Sequence, residues 1–132
     1  MDLVGVKYRF GGTSPTTGLD CSGYVQYVYK NAVGVTLPRV AAAQSQVGER
    51  VASQSDMRPG DLVFFNTRGF AASHVGIYVG NGTFIHSPRS GSSVRFDSMN
   101  NSYWSARFNG ARRVSAPSSR ANAFGSNAPL GM

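Results

Sequence analysis

Nucleophilic chemistry in this chain has few places to reside, because the sequence holds one cysteine, Cys21, and two histidines, His74 and His86. Cys21 sits in "GLDCSGYVQYVY" (18–29), where Asp20 reads as a helix N-cap and the apolar residues that follow recur at helical spacing. A thiol in a first helical turn faces unpaired backbone N–H groups and the positive end of the dipole, which favours thiolate. Its polar neighbours, Asp20, Ser22 and Gly23, argue against the plain alternative of a buried core thiol. A thiolate nucleophile needs a base and a group to orient that base. Both histidines fall in one stretch, "SHVGIYVGNGTFIHS" (73–87), so one can serve as base and the other as its orienting partner. Zinc on Cys21, His74 and His86 is the rival use of the same residues. It lacks a tight ligand pair such as H-x-x-x-H or C-x-x-C, and no metal or other cofactor is expected.

The elements that must position these groups are legible in outline. A helix is expected from Asp20 to the stop at Gly34, and a second, shorter one over "VAAAQSQVG", ending at Gly48. "RPGD" (58–61) reads as a turn, and Leu62–Phe65 as a buried strand. Residues 73–87 read as a hairpin turning at Asn81-Gly82, with "SSVRFDS" and "RFNGARRV" supplying further strands. Helices followed by an antiparallel meander make an α+β fold.

Side-chain parity sets a condition on the hairpin. A plain two-residue turn would pair His86 with Ile77 and put the histidines on opposite faces. A three-residue Gly80-Asn81-Gly82 loop, or an equivalent bulge, sets His86 opposite Gly76 and diagonal to His74, with Cβ atoms roughly 7 Å apart. The chemistry requires that second arrangement, with both rings on the face toward Cys21. The other face, with Val75, Ile77 and Val79, should be core.

Length and composition narrow the classes. At 132 residues the chain is one domain, able to bury about two-thirds of its unfolded surface. A net charge of +7 suits an anionic partner. The basic residues are scattered singly, which argues against nucleic-acid binding. No apolar run is long enough to span a membrane, and "MDLVGVKYRF" lacks the marks of a signal peptide. From Ser115 onward, "SAPSSRANAFGSNAPLGM" reads as a flexible tail (115–132) behind a domain covering 1–114.

"YRFGG" (8–12), "LDCSGYVQYVY" (19–29), "LPR" (37–39) with Gln44, "RPGDLVFF" (58–65), "SHVGIYVGNGTFIHS" (73–87) and "GARRV" (110–114) together resemble the NlpC-type papain-like cysteine peptidases of bacterial cell walls. The resemblance implies N-terminal helices packed on an antiparallel sheet, with the catalytic cysteine at a helix N-terminus. It implies hydrolysis of peptidoglycan stem peptides between D-isoglutamate and the diamino acid. Cys21 matches the family nucleophile, His74 its general base and His86 the residue that orients the imidazole. Tyr8 matches a tyrosine beside the oxyanion site, and Asp20, Ser22 and Ser73 match positions that shape substrate subsites. Arg39 and Gln44 fit the pattern without a catalytic role, Arg39 reading as a solvated helix-capping side chain. The helix that usually precedes "YRFGG" is reduced to its last residues, which suggests truncation or a start inside a longer protein.

The expected partners are peptidoglycan or released muropeptides, with an immunity or inhibitor protein if the chain is an antibacterial effector. The expected state is a monomer in the periplasm or outside the cell. The rival readings are an amidase or acyltransferase on the same site, and a non-catalytic wall-binding domain.

Overall fold

Asp20 takes extended backbone and accepts the Gly23 N–H at 2.7 Å, which makes Cys21 the first residue of α1 (Cys21–Val28). In the computed structural model, which describes residues 3–89 and 91–115, that helix widens into a π-helical turn over Tyr29–Val33. Gly34 then stops it in left-handed backbone (φ 81°), as the sequence suggests. A small hairpin, β1 (Thr13–Ser14) with β2 (Gly18–Leu19), leads into the helix. The second expected helix is a single turn, α2 (Ala41–Gln44). Residues 49–51 instead form a strand, β3 (Glu49–Val51), because their backbone groups pair with the last strand of the chain.

The sheet is six-stranded and antiparallel. β4 (Leu62–Phe65), β5 (His74–Gly80), β6 (Thr83–His86) and β7 (Arg95–Ser98) form the expected meander, while β8 (Phe108–Arg113) returns to lie between β3 and β4. Every residue of β4 is buried, as its unbroken apolar run requires. One sheet face carries Leu62, Phe64, Val75, Ile77 and Ile85 and packs against α1. The other carries Val63, Phe65, Phe84 and Ala111 and is covered by Met99 and by Trp104 of α3 (Ser102–Arg107). This helix has too short an apolar pattern to be read from sequence; Asn101 caps it by accepting the Tyr103 N–H at 2.9 Å. Arg113 grips the buried Asp61 of the "RPGD" turn in a two-pronged pair, Nε to Oδ1 at 2.9 Å and Nη2 to Oδ2 at 2.8 Å. Two distant motif fragments are thereby one structural joint. The proposed tail falls on residues 116–132, which lie outside the described residues, apart from the exposed Ser115.

The hairpin meets the parity condition through a bulge. Asn81 and Gly82 both have positive φ (53° and 71°), as a two-residue turn with Gly80 opposite Thr83 demands. One step along, Tyr78 pairs with Phe84 and Ile77 with Ile85, so Val79 is the extra residue. The bulge restores the parity that the short turn would have broken. Val79, expected in the core, is 40% exposed because the bulge turns it out. Continued along the strand, this register sets Gly76 opposite His86. A Cβ on Gly76 would lie 2.9 Å from Phe84 Cδ2 and 3.1 Å from both His86 Cβ and Ile85 O.

Gly76→Ala should therefore force the buried Phe84 and His86 apart and destabilise the domain by about 1–3 kcal/mol in urea titrations, the usual cost of overpacking.

Candidate active site

The site lies where the start of α1 meets the start of β5. Cys21 is half-buried against the α1-side core, packed in the same cluster as Val75. The close approach uses Gly23: a Cβ there would stand 2.2 Å from the Gly12 carbonyl oxygen. Ser87, fully buried, donates its hydroxyl to Leu19 O at 2.6 Å and ties the end of β6 to the segment entering the helix.

His74 opens β5, next in the chain to Val75, and its Nε2 lies 2.7 Å from His86 Nδ1. The two rings share one sheet face, as the parity argument required, but it is not the face toward Cys21 and α1 that was expected. That face is the one under Trp104, while α1 covers the opposite one, and Val75, next after His74, belongs to the cluster that Cys21 packs against. Trp104 stacks on His74 (centroids 5.4 Å, planes 27° apart) and meets His86 edge-on at 4.9 Å. His86 Nε2 in turn donates to Asp97 Oδ2 at 2.7 Å, and Arg95 Nε reaches the same oxygen at 2.9 Å.

Asp97 and Trp104 were not anticipated. The only signal for Asp97 is the alternation that puts it on the same face of β7 as Arg95. Its meeting with His86 depends on a register, Phe84 opposite Asp97 and His86 opposite Arg95, that no local pattern specifies.

Burial dominates the titrations here. It holds His74 well below the usual imidazole value, with the neighbouring His86 and Arg68 adding to the effect. Burial lowers His86 to about 4 despite the opposing pull of Asp97. It also pushes the Cys21 thiol up, with the N–H groups of Val75 and Ser22 opposing and the Asp20 carboxylate reinforcing it. The helix terminus alone thus does not make a standing thiolate, because a buried sulfur loses more hydration than the dipole returns. Burial favours the neutral thiol and the neutral imidazole alike. Burial also resists ionisation of Asp97, but the hydrogen bonds and charges of His86 and Arg95 hold its carboxyl below the usual range.

The residues expected to shape subsites divide into two groups. Tyr8 bridges to Leu19 just ahead of Cys21 and accepts a long contact, 3.5 Å, from Arg68 Nη2. Its phenol is raised by burial, against the lowering charge of Arg68, and feels Cys21 and Asp20. Asp20 and Ser22 form a knot with Arg39: the guanidinium donates to Asp20 Oδ2 at 3.0 Å, Asp20 Oδ1 at 3.1 Å, Ser22 Oγ at 2.9 Å and Gly12 O at 3.3 Å. Arg39 is therefore a partly buried cross-link between the "YRFGG" loop and the first turn of α1, not a solvated cap. Gln44, fully buried, donates to Ser22 O at 3.2 Å and Pro38 O at 2.8 Å from beneath the same turn. The Ser73 hydroxyl accepts the N–H groups of Thr67 and Arg68 at 2.9 and 3.1 Å and so holds the 66–73 loop.

The sequence pattern of the NlpC/P60 family matches residues 5–113. The chain belongs to the NlpC/P60 family. Among relatives of this NlpC/P60 chain, it is 46% identical over 119 residues to murein DD-endopeptidase MepH of Escherichia coli, which covers 89% of this chain and 44% of the relative. It is 48% identical over 111 residues to the gamma-DL-glutamyl hydrolase of Bacillus subtilis, covering 83% of this chain and 26% of that protein. The chain thus spans about half or less of the length of these two relatives. An NlpC/P60 family protein from Bacillus cereus superposes with a TM-score of 0.78 at 37% identity, covering 86% of this chain and 37% of that one. The NlpC/p60 domain of the peptidoglycan hydrolase SagA gives 0.71 at 34% identity, covering 85% and 90%. Among the described residues no group of three or more His, Cys, Asp or Glu side chains is placed to hold a metal ion, and no helix is long and apolar enough to cross a membrane.

The buried imidazoles give this NlpC/P60 domain an acid sensitivity. His86 titrates near 4 in the fold and near 6.5 when unfolded, so between those values the unfolded chain binds more protons. Stability should fall as pH drops from 6.5 to 4, by about 3 kcal/mol from His86 alone. Melting temperatures measured across that range should fall for the native chain and slope less for His86→Gln.

Proposed function

We propose that this domain is a cysteine peptidase that hydrolyses peptidoglycan stem peptides through a thioester. The observation that carries this reading is the buried series His74–His86–Asp97, which opens one residue before Val75, a member of the core cluster that Cys21 packs against. As substrate enters, the thiol proton passes to His74 and the sulfur adds to the amide carbonyl carbon. Backbone N–H groups at the start of α1, with Tyr8 beside them, suit the oxyanion that forms. His74 then gives its proton to the leaving amine as the C–N bond breaks, leaving a thioester. Water loses a proton to His74 and attacks the thioester; the acid departs and the sulfur regains its proton. Because burial favours the neutral forms of both groups, proton transfer to His74 accompanies attack, as the negative charge moves from sulfur to the oxyanion.

Support for the substrate class comes from the relatives, which are named as murein DD-endopeptidases and a gamma-DL-glutamyl hydrolase. The bond between D-isoglutamate and the diamino acid is our assignment for this chain. Action on wall places the protein in the envelope or outside the cell. The stem peptide carries free carboxylates, and the exposed Arg68, whose charge reaches Tyr8, Cys21 and His74, is placed to receive one.

Incubation of purified wall and of muropeptides with the chain should release new peptide termini detectable by mass spectrometry, and Cys21→Ala should release none. Equal products from both proteins would refute the thioester route, and transfer products without hydrolysed termini would make the chain an acyltransferase. Arg68→Ala should raise KM for carboxylate-bearing stem peptides by roughly 3–10-fold with little change in kcat, the loss expected of one solvent-screened charge contact of about 1 kcal/mol.

A further inference from the structure

We propose that Asp97 is a positioning residue that fixes the proton order of both imidazoles, so that His74 keeps an unprotonated Nδ1 as its basic nitrogen. The argument is one of donor and acceptor counting. A carboxylate only accepts hydrogen bonds, so at 2.7 Å from Asp97 Oδ2 the proton must sit on His86 Nε2. A neutral imidazole carries one N–H, so His86 Nδ1 is left with a lone pair. That lone pair lies 2.7 Å from His74 Nε2, which must then carry the proton of the second ring. His74 Nδ1 is left free to take a proton.

The opposite order would set two lone pairs facing each other at 2.7 Å unless Asp97 were protonated. Arg95, 2.9 Å from the same oxygen, opposes that protonation. The groups facing His86 are His74 from β5, Asp97 and Arg95 from β7 and the Trp104 ring from α3; only Asp97 accepts without being able to donate. Without it, the two buried rings could adopt either order at similar cost. In half of that population His74 would present an N–H where a base is needed.

A plainer role is available to Asp97, as the partner of Arg95 in a surface ion pair on the edge strand. The experiment separates the two. With only two histidines in the chain, long-range proton–nitrogen spectra of 15N-histidine-labelled protein show two rings and report each tautomer directly. The native chain should show both rings protonated at Nε2; an Nδ1–H ring in either position overturns the proposal even if no variant folds. Asp97→Asn should bring in the Nδ1–H form. Alkylation of Cys21 by iodoacetamide at pH 7 and kcat should both fall roughly 10–100-fold with KM unchanged, the usual scale for loss of a group that orients a functional imidazole. In a His86→Gln background, Asp97→Ala should change the alkylation rate by less than about 2-fold, since the relay is already cut. An equal loss in both backgrounds, or unchanged tautomers in folded Asp97→Asn, assigns Asp97 to the ion pair and sinks the relay. The kinetic readout rests on the peptidase reading. The spectra and alkylation do not, so a chain inert toward wall yet showing the expected tautomers would reject that reading and leave this one standing.

Discussion

The 2.7 Å contact between His74 Nε2 and His86 Nδ1 sets terms that much of the domain exists to meet. Two imidazoles removed from water lose hydration that a single nitrogen-to-nitrogen hydrogen bond only partly replaces. The remainder is supplied by ring contacts with Trp104, Phe65 and Phe84, and by a carboxylate at the far end. The bulge at Val79 and the missing side chain at Gly76 are backbone solutions to the same problem, one setting the face and the other making room. Charge is admitted only at the rim, where Asp97 and Arg95 keep contact with solvent.

Legibility in the sequence followed the range of the interactions. Cys21 at a helix start, the turn at Asn81-Gly82 and the need for both histidines to share a face are local facts, and the sequence carries them. The parity argument required an irregularity in the hairpin and allowed a bulge in place of a longer loop, which is how the chain meets it. Asp97 and Trp104 come from elements that reach the histidines only through strand register and helix docking. Arg39 was misread because a capping arginine and a cross-linking one look alike until the loop that it binds is in place. For the thiol, backbone N–H groups and burial act in opposite directions, and sequence reports only the first.

Around the thiol, polar groups that appear available in a motif are mostly committed within the fold. Asp20 caps α1, accepts the Gly11 N–H at 3.2 Å and holds Arg39; Ser73 serves its own loop. Such commitments make the cleft walls stiff, which suits a site whose acyl group must be held at a fixed distance from a weakly basic ring. Tyr8 and Arg68 are held more loosely, meeting through a single contact of 3.5 Å.

The tie from Ser87 to Leu19 joins positions far apart in the chain, and the relay is completed later still, by β7 and α3. No early fragment of this polypeptide can assemble the base, its partner and the carboxylate. Under the proposed mechanism the site is therefore incomplete until β7 and α3 have docked against β5 and β6. Latency, which many hydrolases obtain from a removable pro-segment, is here a property of long-range topology.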